Sequence, residues 1–283
     1  MITTRNRLEL LKRTCKVVLS LHPAPVEVLI TADGCSDGTA DYINKEIPSA
    51  KLTVNEVGQG SVASRDHMMR AAKGDLVLAL DDDSYPEQTD CLQSLTDLFA
   101  ESPRLAVAHF PQHTDEYPES LSIKDFGPPC LTRSFPNSGA CIRRSIYLQL
   151  PGFEPRFFHM YEEPDYALQC VANGYEVLYT PILTIRHHWS GQSRSNARNH
   201  HLHARNKCWS TLMRCPLPFS LVVCGYHVFS QFRFASRYGA AHAMREPVWW
   251  FQALKGIPAC IRHAKPLSWA QYRRWLSFPN RQF

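Results

Sequence analysis

The stretch LVLALDDDSYP (76–86) runs from five apolar side chains straight into three adjacent aspartates. Like charges crowded at a strand end repel one another, so something must offset them. Asp81 and Asp83, spaced D-x-D, suit a hard divalent cation. Mg2+ or Mn2+ takes oxygen ligands, usually one or two carboxylates together with substrate phosphates. Such an ion would make the cluster tolerable and hold a diphosphate in the same place. The alternative reading is a solvated acidic turn. A second acidic loop, DGCSDGT (33–39), follows another apolar run and favours the metal.

Glu163 offers a different chemistry. It precedes Pro164, and proline at the first helical position pre-sets a helix. That places Glu163 at or near the N-cap of a helix running to about Asn173 and closed by Gly174. A carboxylate there projects into a cleft, where a general base must reach the attacking hydroxyl. Glu162 and Asp165 would raise its pKa by like-charge repulsion. The same acids would also simply favour the helix N-terminus through its dipole. His187 and His188 follow a strand-like run and read as metal or phosphate ligands, or as structural residues.

The elements that must carry these residues alternate. VEVLITA (26–32), KLTVNEV (51–57), DLVLAL (75–80) and RLAVAHF (104–110) read as strands. TADYINKE (39–46), SVASRDHMMRAAK (61–73, with Gly74 as its C-cap) and TDCLQSLTDLFAES (89–102) read as helices. Strand–helix–strand alternation at this spacing implies a mostly parallel α/β sheet flanked by helices. Ligands in such sheets sit at the carboxyl ends of the strands, which sets both acidic loops on one edge and one cleft. Beyond about residue 111 the pattern loosens, with strand pieces over 175–181 and 182–188. From Asn196 onward the sequence is helical, basic and interleaved with Trp. The expected division is a catalytic unit over 1–195 and a helical extension over 196–283.

Composition limits the alternatives. With 283 residues and 44% apolar content the chain builds a sizeable core. Net charge is +5, with acids concentrated in the first 165 positions and Arg, Lys and His after Arg186. Ten cysteines occur without a C-x-x-C pair, which fits free thiols in a reducing cytosol better than a zinc site or disulfide framework. The first residues contain no apolar signal-peptide core. No run reaches about 18 apolar residues, so no spanning helix is expected; PLPFSLVVCGYHVF (216–229) reads as a buried or interfacial helix. The location implied is cytoplasmic.

Taken in order, TTRNR, DGCSDGT, SRDHMMRAAKGDLVLALDDD, GFEPRFFHMYEEPDYALQ and RHHWSGQS resemble the family 2 inverting glycosyltransferases of GT-A fold, over roughly residues 2–207. The set looks closest to rhamnosyltransferase-like members that build surface polysaccharides. The resemblance implies that Thr4 ends the first strand at the nucleotide and that Asp33 binds base or ribose. Arg65 would lie beside the nucleotide, where the family has Ala-Arg-Asn; here Asp66 stands in place of Asn. Asp81 would face ribose and diphosphate, Asp83 would be the main metal ligand, and His187 would lie near diphosphate and metal. Glu163 matches the second acid of the family's Glu-Asp motif, the catalytic base, with Glu in place of Asp, a departure that also occurs in the family, and Asp165 matches the next acid of that motif. The implied partners are a nucleotide-diphosphate sugar and a saccharide or lipid-linked acceptor. Basic, Trp-rich helices such as REPVWWFQALKGIPACIRHAK would lie on the inner face of an anionic membrane, or else cover the core or form a dimer contact.

One departure stands out. The family has five or more apolar residues before T-x-N-R, whereas here only Met1, Ile2 and Thr3 precede Thr4. The expectation is a stunted central strand, or a natural protein extending further at its N-terminus, which an intact-mass measurement on native material would decide. A degenerate, purely binding relative and a nucleotidyltransferase are the other readings. The latter would show a glycine-rich basic loop for a triphosphate, and TTRNRLELLKR contains no glycine. Nucleic-acid binding is not expected, because no recognition motif accompanies the basic charge.

Overall fold

The computed structural model describes residues 1–114, 127–188 and 196–279. The first half alternates as the sequence implied: β1 (Ile2–Thr4), α1 (Leu8–Val18), β2 (Leu29–Asp33), α2 (Thr39–Glu46), β3 (Lys51–Asn55), α3 (Ser61–Ala71) and β4 (Leu76–Asp81). Then come β5 (Ser84–Pro86), α4 (Cys91–Glu101), β6 (Leu105–His109) and β7 (Gln112–His113). The expected strand over 26–32 starts later, because Val26 is exposed and makes no sheet contact. Helix α3 ends at Ala72 in extended backbone, so Gly74 is not its cap.

The looser second part forms β8 (Cys130–Leu131), β9 (Ala140–Arg143), α5 (Arg144–Gln149), α6 (Glu162–Ala172), β10 (Glu176–Tyr179) and β11 (Ile185–His187). The main sheet has the order β3-β2-β1-β4-β9-β6-β10-β8. Strand β9 was not legible in the sequence, since its apolar run is only three residues long. It lies antiparallel between β4 and β6, so the sheet is parallel mostly on its β1–β4 side. A second, small sheet joins β5, β11 and β7.

Helices cover both faces. Leu11 and Cys15 of α1, Ile43 of α2 and Leu95 and Phe99 of α4 bury one side. Val62 and Met69 of α3, Tyr147 of α5 and Tyr166 of α6 bury the other. The central strand β1 is three residues long, pairing Thr4 with Ala32 and Thr3 with Asp81. The α-amino group of Met1 donates to the Leu78 carbonyl at 2.8 Å, and burial pushes its pKa down to about 5.

Five helices follow: α7 (Asn196–Arg214), α8 (Phe219–Ser236), α9 (Ala240–Ala243), α10 (Glu246–Arg262) and α11 (Trp269–Leu276). Trp209 and Met213 of α7 and Tyr272 and Trp275 of α11 enter the same core as α6. Gly256 lets α10 approach α7, because a Cβ there would overlap the Trp209 indole. The Trp209 indole donates to the Ala253 carbonyl at 2.9 Å. Helix α8 is different: Leu221, Val222, Tyr226 and Phe229 are each more than 60% exposed. Among the described residues, no helix is long and apolar enough to cross a membrane.

Candidate active site

The carboxyl ends of β1, β2 and β4 open into a cavity of about 420 Å³. Thr4, Asp33, Arg65, Asp81, Glu163 and His187 all line it, so the fold brings six of the eight expected site residues together. Asp83 lies fully buried just beneath, and Asp165 is elsewhere.

The three aspartates have protein partners of their own, which corrects the expectation that a cation and a diphosphate alone neutralise them. Arg7 Nη1 donates to Asp82 Oδ1 at 2.6 Å and Nη2 to Asp83 Oδ2 at 2.5 Å. Arg65 pairs with Asp81 through one nitrogen and with Glu162 through the other, the latter at 3.0 Å. The Thr4 hydroxyl donates to Asp82 at 2.8 Å. Burial pushes Asp82 up to about 7 against the pull of Arg7. For Asp83 the net direction reverses: burial is again the largest single influence and raises it, but bonding to His187 and Arg7 together holds it below the usual carboxylate range.

These pairings leave one part of the cluster open. Register sets Ser84 of β5 opposite His187 of β11, which turns His187 Nε2 toward Asp83 Oδ1 at 3.3 Å. His187 Nδ1 is bonded to Gln112 Oε1 at 2.7 Å, the outer contact that orients metal-binding imidazoles. Asp83 Oδ1 is buried and lacks a hydrogen bond of good geometry. One ligand atom each of Asp81, Asp83 and His187 lie within 4.8 Å of one another. Two carboxylates and an imidazole around an unsatisfied oxygen fit a divalent cation such as Mn2+ or Mg2+.

Glu163 also lines the cavity, one residue inside α6, which begins at Glu162 rather than at Glu163 itself. The backbone before it is forced: Phe158, Met160 and Tyr161 have φ of 66°, 73° and 73°, in the left-handed region that side chains disfavour. Side chains from α7 hold this loop, and Arg205 Nη2 donates to the Phe157 carbonyl at 2.9 Å. The buried Asn206 amide lies 3.0, 2.8 and 2.7 Å from the carbonyls of Phe157, His159 and Met160. Gly60 packs under the same loop, where a Cβ would overlap the Phe158 carbonyl. Burial, and then the neighbouring Glu162, push Glu163 up to about 8. Its carboxylate accepts from the Asn137 amide at 3.4 Å.

Asp33 accepts from Asn55 Nδ2 and the amides of Gln59 and Gly60, each at 2.8 Å, and so fixes the loop before α3. Asp165 accepts from Ser210 at 2.6 Å and from Arg214 at 3.3 Å. It ties α6 to α7 and does not line the cavity. Glu162 raises Glu163 as the sequence implied, whereas Arg7, Asn137 and Asn206 were missed by sequence reasoning. For Arg7 the T-x-N-R stretch itself was a signal; Asn206 carries none. The stretch RHHWSGQS extends past His188 outside the described residues.

Residues 1–140 match the model of the family described as Glycosyl transferase family 2. No curated protein matches the chain. Solved structures share the fold at low identity. GalNAc-T7 with UDP, GalNAc and Mn2+ is 14% identical with a TM-score of 0.60, over 83% of this chain and 49% of that one. Mannosyltransferase PcManGT from Pyrobaculum calidifontis, with GDP-Man and Mn2+, is 15% identical with a TM-score of 0.57, over 97% and 83%. S. aureus TarS 1–349 with UDP is 14% identical with a TM-score of 0.57, over 75% and 64%. The chain thus spans about half the length of GalNAc-T7. The architecture is the GT-A-like α/β fold with a helical C-terminal region.

Proposed function

We propose that this chain, whose residues 1–140 carry the glycosyl transferase family 2 match, transfers a sugar from a nucleotide diphosphate to an acceptor hydroxyl with inversion. The observation that carries the reading is the convergence of two chemistries on one cavity: Asp81 and His187, clustered with the buried Asp83, and Glu163 all belong to it. Of the similar structures named above, GalNAc-T7 holds UDP with Mn2+, PcManGT GDP-Man with Mn2+ and TarS UDP, and the donor proposed here is of the same class.

Glu163 takes the acceptor proton as the hydroxyl attacks the anomeric carbon; a carboxylate raised to about 8 is a competent base near neutral pH. A divalent cation held by Asp81, Asp83 and His187 would supply charge stabilisation to the departing diphosphate. Arg65 bridges Asp81 and Glu162 and so ties the acidic strand end to the start of α6. A single displacement turns the carbon over once. Residues 1–195 serve as the catalytic unit and 196–283 as the extension on its acceptor side. Surface-polysaccharide synthesis is the role that the rhamnosyltransferase-like motifs favour.

The exposed apolar side chains of α8 and α10, set among arginines, support peripheral contact with an anionic membrane surface. Flotation with phosphatidylglycerol vesicles tests this; equal recovery with neutral phosphatidylcholine vesicles would refute it. The activity itself is tested by calorimetric titration of UDP, GDP and dTDP with Mn2+ and with EDTA. Mn2+-dependent binding of one nucleotide supports the reading. Absence of binding to all three, in folded protein, overturns it.

A further inference from the structure

Helices α7 and α8 form a hairpin around Pro216, and in such a hairpin residues equidistant from the turn face each other. Cys208 stands eight positions before Pro216 and Cys224 eight positions after it. Ala204 and Val228 form the next layer, one helical turn further out on the same two faces. The four side chains pack in one apolar cluster with Trp249 of α10. The Cys224 thiol donates to the Cys208 carbonyl at 3.5 Å and lies within bonding reach of the Cys208 thiol. That contact, and Lys207 beside it, hold the Cys208 thiol below its ordinary value against burial, whereas Cys224 is pushed up. Cys170 and Cys215 differ, since their thiols bond the hydroxyls of Tyr166 and Tyr272. A thiol that ionises easily, with a second thiol beside it, is the arrangement on which thiol oxidants act. Cys224 is partly exposed, so the pair is reachable from the α8 side. Helix α8 is also weakly anchored: two of its 18 residues, Ser220 and Ala235, are buried. An element with so little buried area opens locally more readily than the core does.

We propose that Cys208 and Cys224 are a reversible oxidation site, at which hydrogen peroxide closes a disulfide that ties α8 to α7. The Cys208 thiolate attacks one peroxide oxygen and the O–O bond breaks, giving a sulfenic acid and, after protonation of the leaving hydroxide, water. The Cys224 thiol then attacks the sulfenic sulfur; the S–S bond forms and the sulfenic oxygen leaves as a second water. Two thiols are oxidised and one peroxide is reduced. A thiol reductant reopens the bond by exchange. The reduced hairpin relies on packing alone, and oxidation limits how far α8 moves from α7. Neither cysteine lines the candidate active site, so the inference stands apart from the glycosyltransferase reading.

The test takes the full chain, fully reduced and then exposed to hydrogen peroxide. Remaining thiols are blocked with N-ethylmaleimide under denaturing conditions, and the protein is digested without reductant. Mass spectrometry is expected to find a peptide pair linked through Cys208 and Cys224. The pair should vanish after dithiothreitol and be absent from Cys208→Ser and Cys224→Ser. Amide hydrogen exchange across α8 is expected to slow at least about tenfold on oxidation of the natural protein, and to ignore peroxide in Cys224→Ser. Recovery of Cys208 and Cys224 as maleimide adducts or as sulfinic acid would overturn the site, and so would equal linkage through other cysteines. A linked pair with unaltered exchange in α8 would overturn the tie. The linkage and exchange measurements on the natural protein decide both points even where a serine variant fails to fold.

Discussion

Asp83 Oδ1 faces His187 Nε2 at 3.3 Å across the β5–β11 pair. The two residues come from distant segments and meet only because Ser84 and His187 are directly opposite in that ladder. The contact joins the acidic strand end to a second ligand and turns an acidic turn into a candidate metal site.

Replacing either partner should therefore separate metal from nucleotide. Asp83→Asn and His187→Ala are each expected to lower Mn2+-dependent nucleotide affinity about 10–100-fold. Affinity in EDTA should not change. Calorimetry in the two buffers checks this, and equal losses in both would show a structural effect instead.

Glu163 sets the pH dependence. Its base form fills as pH rises through about 8, so kcat/KM should climb below that pH and level off above it. Glu163→Gln should flatten the profile and lower kcat about 10²–10⁴-fold. The stability effect has the opposite sign. The folded carboxyl is raised above its ordinary value of 4.5, so the folded state keeps a proton that the unfolded chain releases. Its stabilising contribution is full below 4.5 and is lost as pH rises through about 8. Glu163→Gln should consequently gain stability relative to the natural protein at pH 9, as read by urea denaturation.

Arg65 is a structural ion as much as a site residue. Arg65→Met leaves Glu162 buried without its charge partner and should cost about 3–5 kcal/mol. The double variant with Glu162→Gln should recover part of that loss, because the stranded charge is gone. Denaturant midpoints for the set provide the measurement, and full additivity would argue against the pairing.

Asn206→Ala removes the clamp on the left-handed loop. The His159 and Met160 carbonyls lose their donor while Phe157 keeps Arg205, and the expected stability loss is about 1–3 kcal/mol. Because the loop leads directly into Glu163, kcat should fall while nucleotide affinity is retained. A parallel loss of nucleotide binding would indicate a general collapse of the cavity.

Asp165→Asn should behave in the reverse way. Its carboxylate binds Ser210 and Arg214 outside the cavity, so melting temperature should fall and kcat should persist at temperatures where the variant is folded. A selective loss of kcat would return Asp165 to the chemistry.

Much of this was legible in the chain itself. Apolar runs and helical periodicity located β2, β3, β4, β6 and the helices between them, because burial of one face imposes a period on local sequence. The D-x-D at the end of β4 and Glu163-Pro164 at the start of α6 were picked out by residue type and spacing, and the fold brings Asp81 and Glu163 to one cavity. The antiparallel β9 escaped, since three apolar residues between polar flanks look the same in a loop and in a central strand. The helix over 216–229 was open between buried and interfacial readings. The structure leaves its apolar side chains exposed, because α7 and α10 already fill the core beside it.

Partnership was the part that only the tertiary structure decided. Sequence placed three aspartates together and left their counter-charges open; packing supplies Arg7 and Arg65 from other elements and keeps Asp83 Oδ1 for His187. Sequence placed Glu163 at a helix start; Asn206, from a helix near the far end of the chain, holds the loop that aims it. The physical reason is the same in each case. Local periodicity and residue type record which face of an element is buried, whereas hydrogen bonds and ion pairs depend on which distant segment the buried face meets.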